Sequence, residues 1–329
     1  MTPTTLAEQL TKYLTDAHCI EQQALIQMKA APRLAGDRSV AAVFSEHETE
    51  TQDHERLIAE RLRARGARPS RVKDAAGLVT GVGFAAFAAL QPDTPGKLVV
   101  HALSYEHMEE AAYNLLGRVA EREGDTETVA VAGRIEAQER DMGDRVADCF
   151  DRAAEASLRR VTPDGLREQL TKYLTDAHAI EGQALQLLAA GRKIAGSEEP
   201  ARAYDEHRRE TEEHQRLVTE RLRAVGGAPN RLKDAALQMG ALNWGAFFAG
   251  QPDTPAKLIA FAYAFEHLEI GAYEMLRRVA DRAGDAETVQ VAEWILAQEK
   301  AAADRLHGLF GDALDATLSR RGLAVPATG

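Results

Sequence analysis

EHETETQDHERL, residues 46–57, is almost all charge and hydroxyl, yet it lies where the surrounding apolar spacing is that of a long helix. Stepping by four and three along that helix, Val43 leads to His47, Glu50, His54 and then Leu57. On this reading the two histidines and Glu50 continue an inward stripe, while Glu48, Thr49, Asp53 and Glu55 point outward or sideways. The segment EHRRETEEHQRL returns at 206–217 and repeats the three types as His207, Glu210 and His214, whereas Glu48 has become Arg208.

The return is part of a duplication of the whole chain. EQLTKYLTDAH occurs at 8–18 and 168–178, and QPDTP at 91–95 and 251–255, both offset by 160. Two domains are therefore expected, residues 1–160 and 161–329, joined by turn chemistry near Val161–Gly165. The net charge of -11 argues against nucleic acid and against an anionic membrane surface as partners. Cys19 and Cys149 are too few for a disulfide framework and neither recurs in the other repeat. The start of the chain does not read as a signal peptide, and the uncharged run at 75–90 is too short and too rich in Gly and Ala for a membrane span. A cytoplasmic protein is the expectation.

Each repeat reads as four long helices, in the first about 5–30, 39–65, 95–122 and 126–157. Thr94 and Pro95 make a helix start, and Gly124-Asp125-Thr126 ends one helix and caps the next. The first and last connections are short, so those pairs run antiparallel. The middle connection takes about 30 residues, includes a short apolar helix, and can cross the bundle. Two hairpins joined by one crossover describe an all-α fold of two tandem ferritin-like four-helix bundles.

A carboxylate interrupts every stripe near mid-helix. The first helix carries Glu21 between Ala17 and Ala24, the third carries Glu109 after Tyr105, and the fourth carries Glu139 between Ile135 and Met142. Glu106 reaches the same region from one turn away. Repeat two has Glu181, Glu266, Glu269 and Glu299 at these positions. Buried carboxylates are very costly without neutralisation, and no inward Lys or Arg is on the stripes. Two divalent metals per repeat would supply the charge; the donor types suit iron, with manganese or zinc as alternatives.

With Glu21, ETQDH on the second helix, EHMEEAAY on the third and Glu139 on the fourth, the chain resembles the YciE/YciF-like bacterial ferritin-like proteins, a stress-associated group, and more distantly bacterioferritin and rubrerythrin. The resemblance covers nearly all of each repeat. It implies that Glu21 and Glu109 are terminal or bridging ligands, that Glu50 and Glu139 bridge, and that His54 is a nitrogen ligand, with Tyr113 matching a tyrosine near the metals. Two departures stand out: Glu50 and His54 are four apart rather than three, and Met142 and Ala302 occupy the place of a fourth-helix histidine.

The functional expectation is a di-iron carboxylate protein that handles peroxide, oxygen or ferrous iron as an oxidoreductase of peroxidase or ferroxidase type. Its electron donor is unknown, since no CxxC centre is present. The alternative is a metal-binding scaffold without turnover. His47 is open between ligand and supporting donor. His107 and His267 are expected to support the ligands, His18 and His178 to hydrogen-bond or face solvent, His101 and His307 to lie on the surface, and Asp144 and Asp304 to orient a ligand or face solvent. The fused repeats are expected to pack as an intramolecular pseudo-dimer through the runs at 75–90 and 235–250.

Overall fold

The structure is a computed structural model, described here for residues 4–69, 94–229 and 253–323. The expected contact runs at 75–90 and 235–250 lie outside the described residues. Among those residues every regular element is a helix: α1 Leu6–Leu34, α2 Arg38–Ala64, α3 Thr94–Glu123, α4 Thr126–Ala147 and α5 Phe150–Leu158, then α6 Pro163–Ile194, α7 Glu198–Ala224, α8 Thr254–Ala283, α9 Ala286–Gly308 and α10 Phe310–Ser319. The chain divides into two compact units, one built on the residues up to Leu158 and the other on Arg159–Arg320. None of the described helices is long and apolar enough to cross a membrane.

The helix ends follow local chemistry. Thr5 and Asp125 each accept a hydrogen bond from an amide three residues on, and Asp37 accepts from Ser39 and Val40. Thr162 caps α6 with Pro163 in its first turn, so the joint between the repeats is also a helix start. Thr94 and Thr254, by contrast, are already helical, and in the second unit the cap position falls to Asp253.

In the first unit α1 packs on α2 and α3, while α4 packs on α3 and α2, closing a ring of four; the second unit repeats this. The three residues between α1 and α2 and the two between α3 and α4 make both pairs antiparallel. Side chains fix the middle pair. At the start of α2, a Cβ on Gly36 (φ +67) would lie 2.7 Å from Pro95 at the start of α3. Arg65, just past the end of α2, pairs with Glu123 at the end of α3 at 3.1 Å. Therefore α2 and α3 run the same way.

Two expectations about the helices are corrected. The fourth helix does not continue to 157: it breaks at Asp148–Cys149 and restarts as α5, as its twin breaks at Leu309. The break lets Phe150, Ala153 and Leu158 bury themselves, with α5 packed on α3. In α2 the buried stripe is Val40, Phe44, His47, Thr51, His54, Ile58 and Leu62, one position away from Val43, Glu50 and Leu57. Spacings of three and four both carry a helix face from His47 to His54. Thr51 takes the inner place because its hydroxyl is satisfied by the His47 carbonyl at 2.9 Å.

Candidate metal centre

Near the middle of the first unit α1, α2, α3 and α4 bring six buried side chains together: Glu21, His47, His54, Glu106, Glu109 and Glu139. Their donor atoms form two groups, each with all atoms within 4.8 Å of one another: His47, Glu106, Glu109 and Glu139, and then Glu21, His54 and Glu139. Glu139 belongs to both. Its Oε2 lies 3.4 Å from His47 Nε2 and its Oε1 lies 2.8 Å from His54 Nδ1. The second unit forms the same pair of groups from His207, Glu266, Glu269 and Glu299, and from Glu181, His214 and Glu299.

The two imidazoles are held from outside the cluster. His47 Nδ1 lies 2.8 Å from Glu50 Oε2, and Arg145 donates to that oxygen at 2.6 Å. With Nδ1 turned to Glu50, His47 Nε2 faces Glu106 Oε2 at 3.1 Å. His54 is turned the other way: Nε2 bonds Gln138 Oε1 at 3.3 Å and Nδ1 faces inward. Such outer partners fix the tautomer and direction of a metal-binding histidine. Glu210 with Arg305, and Gln298, do the same for His207 and His214.

Glu50 and Glu210 therefore do not join the clusters. Glu50 is 31% exposed, and its bonds to His47 and Arg145 hold its carboxyl down at about 2. Glu210 is likewise held low by His207 and Arg305 against its partial burial. Glu106 and Glu266 take the inward places instead. Sequence reasoning missed Gln138 and Arg145, although both recur, as Gln298 and Arg305. Tyr113 donates its hydroxyl to Glu21, and Tyr273 to Glu181.

Other histidines stand apart. His107 and His267 turn their Nδ1 to the carbonyls of Leu103 and Tyr263 at 2.8 and 2.9 Å, away from the donor groups. His18 pairs with Glu55 at 3.0 Å. His101 and His307 are not free surface residues: both are half-buried, His101 beside Tyr105 and His307 against Phe310. Burial pushes His101 down to about 4. Asp144 and Asp304 are exposed and face solvent.

The electrostatics of the clusters are severe. Among the described residues no Lys or Arg is buried. Burial, reinforced by Glu139, pushes Glu21 up to about 8, and Glu181 beside Glu299 stands equally high. Burial also lifts Glu109, Glu139 and Glu269 well above the carboxylate range. In the second unit burial raises Glu266 to about 7, while His214 and His207 oppose the burial of Glu299. Inside the cluster His47 Nε2, His54 Nδ1, Glu21 Oε2 and both oxygens of Glu106, Glu109 and Glu139 face one another and have no hydrogen-bond partner outside it. Buried polar atoms normally find partners, and orphaned ones call for an explanation. Lone pairs converging on common points, in histidine–carboxylate sets, fit divalent metal ions.

The fold and the clusters define a protein of two tandem repeats, helical in the regular elements of its described residues, each repeat with buried histidine and glutamate groups able to hold metal ions. The chain belongs to the family described as Domain of unknown function (DUF892), whose model matches residues 5–159 and again residues 165–319. No solved structure matches it.

Proposed function

We propose that each repeat is a ferritin-like four-helix bundle holding two divalent metals, iron first among the candidates, and that the protein uses them in redox handling of peroxide, oxygen or ferrous iron. The observation that carries this reading is the recurrence, in both units, of four buried carboxylates and two inward imidazole nitrogens with no buried Lys or Arg among the described residues to neutralise them. Two +2 ions balance four carboxylates per unit. Glu139 and Glu299, with one oxygen toward each group, and the other cluster residues would hold the ions. Glu50 with Arg145, and Gln138, aim the two histidines. Bound iron would supply one-electron redox changes and Lewis acidity. The protein keeps water and competing bases away through the apolar layers above and below, from Leu14 and Ala17 to Ala24 and Met28 on α1.

Elemental analysis after gentle purification and reconstitution with ferrous iron tests the reading. Two metals per unit are expected; fewer than one metal per chain sinks it. A second reading, a metal-stabilised scaffold in a stress response, is favoured by one observation: Met142 and Ala302, both buried, stand where α4 and α9 would need a histidine to complete a richer nitrogen set. Peroxide consumption by the iron-loaded protein separates the two. Tightly held metal with no turnover supports the scaffold.

A further inference from the structure

The two donor groups in each unit are not equally rich. Four residues converge at His47, three at His54, and Glu139 is common to both. The poorer group is poorer still atom by atom. Tyr113 donates to Glu21 Oε1, so only Oε2 of that carboxylate is left unpartnered. Both oxygens of Glu106 and of Glu109 are unpartnered. The His47 group can thus offer Nε2, two whole carboxylates and one oxygen of Glu139. The His54 group offers Nδ1, one oxygen of Glu21 and one of Glu139.

The inequality is repeated in the second unit. Tyr273 donates to Glu181 Oε1 and leaves Oε2, whereas Glu269 keeps both oxygens and Glu266 keeps Oε2. Closed metal sites use four or more protein donors, and sites with three keep a place for water or substrate.

We infer that the two metal positions of each unit are inequivalent: the one at His47 is closed by protein and holds its ion tightly, and the one at His54 keeps an open coordination place for a small exogenous ligand such as a peroxide, an azide or water. This deepens the two-metal reading above and rests on it. The same assignment extends to His207 and His214. Tyr113 and Tyr273 act here as positioning residues: by occupying one oxygen of Glu21 or Glu181 they limit that carboxylate to a single bond and so keep the place open.

Cobalt(II) titration of the metal-free full chain tests the inference, with visible absorption and azide as probes. Two classes of cobalt are expected, separated by roughly ten-fold or more in affinity, in line with the usual weight of one ligand's support. Azide should change the spectrum only once the weaker class fills. The paired variant Glu21→Gln with Glu181→Gln should keep the tight class and lose both the weak class and the azide response. Tyr113→Phe with Tyr273→Phe should tighten the weak class and blunt the azide response, with the helical circular dichroism unchanged. One indistinguishable class of cobalt, or an azide response that survives the glutamate substitutions, overturns the inference while leaving the two-metal reading intact. Failure to bind cobalt or iron at all sinks the two-metal reading itself.

Discussion

The two units repeat one plan, and they differ most in what surrounds their clusters. Glu110 is buried beside Glu109 but is paired with Arg140 at 2.8 Å; in the second unit its place is taken by Ile270. The six cluster residues, whose inward atoms face only one another, are the same in both units. A buried carboxylate that reaches a half-exposed arginine can be exchanged for apolar packing at little cost. A carboxylate whose burial is balanced only by an ion cannot. Packing has drifted in compensated pairs as well: Ala31 and Phe44 correspond to Gly191 and Tyr204, and a Cβ on Gly191 would come within 3.2 Å of the Tyr204 ring. The rim above the second histidine has changed outright. Trp294, 45% exposed, stands edge-on to His214 with ring centres 5.7 Å apart, where the first unit has Arg134 paired with Asp53.

The comparison breaks most visibly at the shared carboxylate. Glu139→Ala is expected to empty both metal positions of the first unit and leave the second loaded, halving the metal content by elemental analysis. If the second unit also empties, the units do not bind independently.

A pH scan sharpens it next. Glu21 and Glu181 are raised to about 8 in the folded metal-free protein, against about 4.3 for an unfolded glutamate. The folded state holds these protons more tightly, so their stabilising contribution is full below about pH 4.3 and is lost as pH climbs to about 8. The slope is at most about 1.4 kcal/mol per pH unit for each group. Thermal melts of metal-free protein should therefore fall over this window. Metal binding displaces the protons and strengthens with pH, so the loaded protein should gain on the metal-free protein over the same range. Parallel curves for the two forms would contradict the assignment of these glutamates to the metals.

Smaller effects probe the packing. Gly191→Ala should cost about 1–3 kcal/mol by chemical denaturation, because the ring of Tyr204 has to shift. Adding Tyr204→Phe, which restores the Ala–Phe pairing of the first unit, should recover part of that. Glu110→Ile should change stability by about 1 kcal/mol or less and leave the metal content untouched, whereas Glu109→Ile should abolish binding in its unit. Smallest of all, Arg65→Val should cost less than about 1 kcal/mol, since the pairs of Arg65 lie partly open to solvent and the second unit already carries Val225 there.

Much of this was legible in the chain. Repetition at an offset of 160 exposed the two units, and helical periodicity placed Glu21, His47, His54, Glu109 and Glu139 on inward faces. Glu106 was legible too, one turn before Glu109. The register of α2 was not, because steps of three and four both join His47 to His54, and only the neighbours could choose between Glu50 and Thr51. The break before Phe150 carries no proline, so periodicity ran straight through it. Gln138 and Arg145 recur in the second repeat, but on the chain alone they are ordinary polar residues of an exposed face.

Sequence by itself thus placed Glu21, His54, Glu109 and Glu139 on inward helix faces with Glu106 beside them, and showed that the set occurs twice, because spacing along a helix decides which side chains share a face. Tertiary structure alone decided how the donors divide: four to one group and three to the other, with Glu139 between and Glu50 turned outward to Arg145. That division depends on which nitrogen of each histidine points inward and on which oxygen a tyrosine already holds. Those are contacts between residues as far apart as Glu21 and Tyr113, and no pattern along one helix can express them.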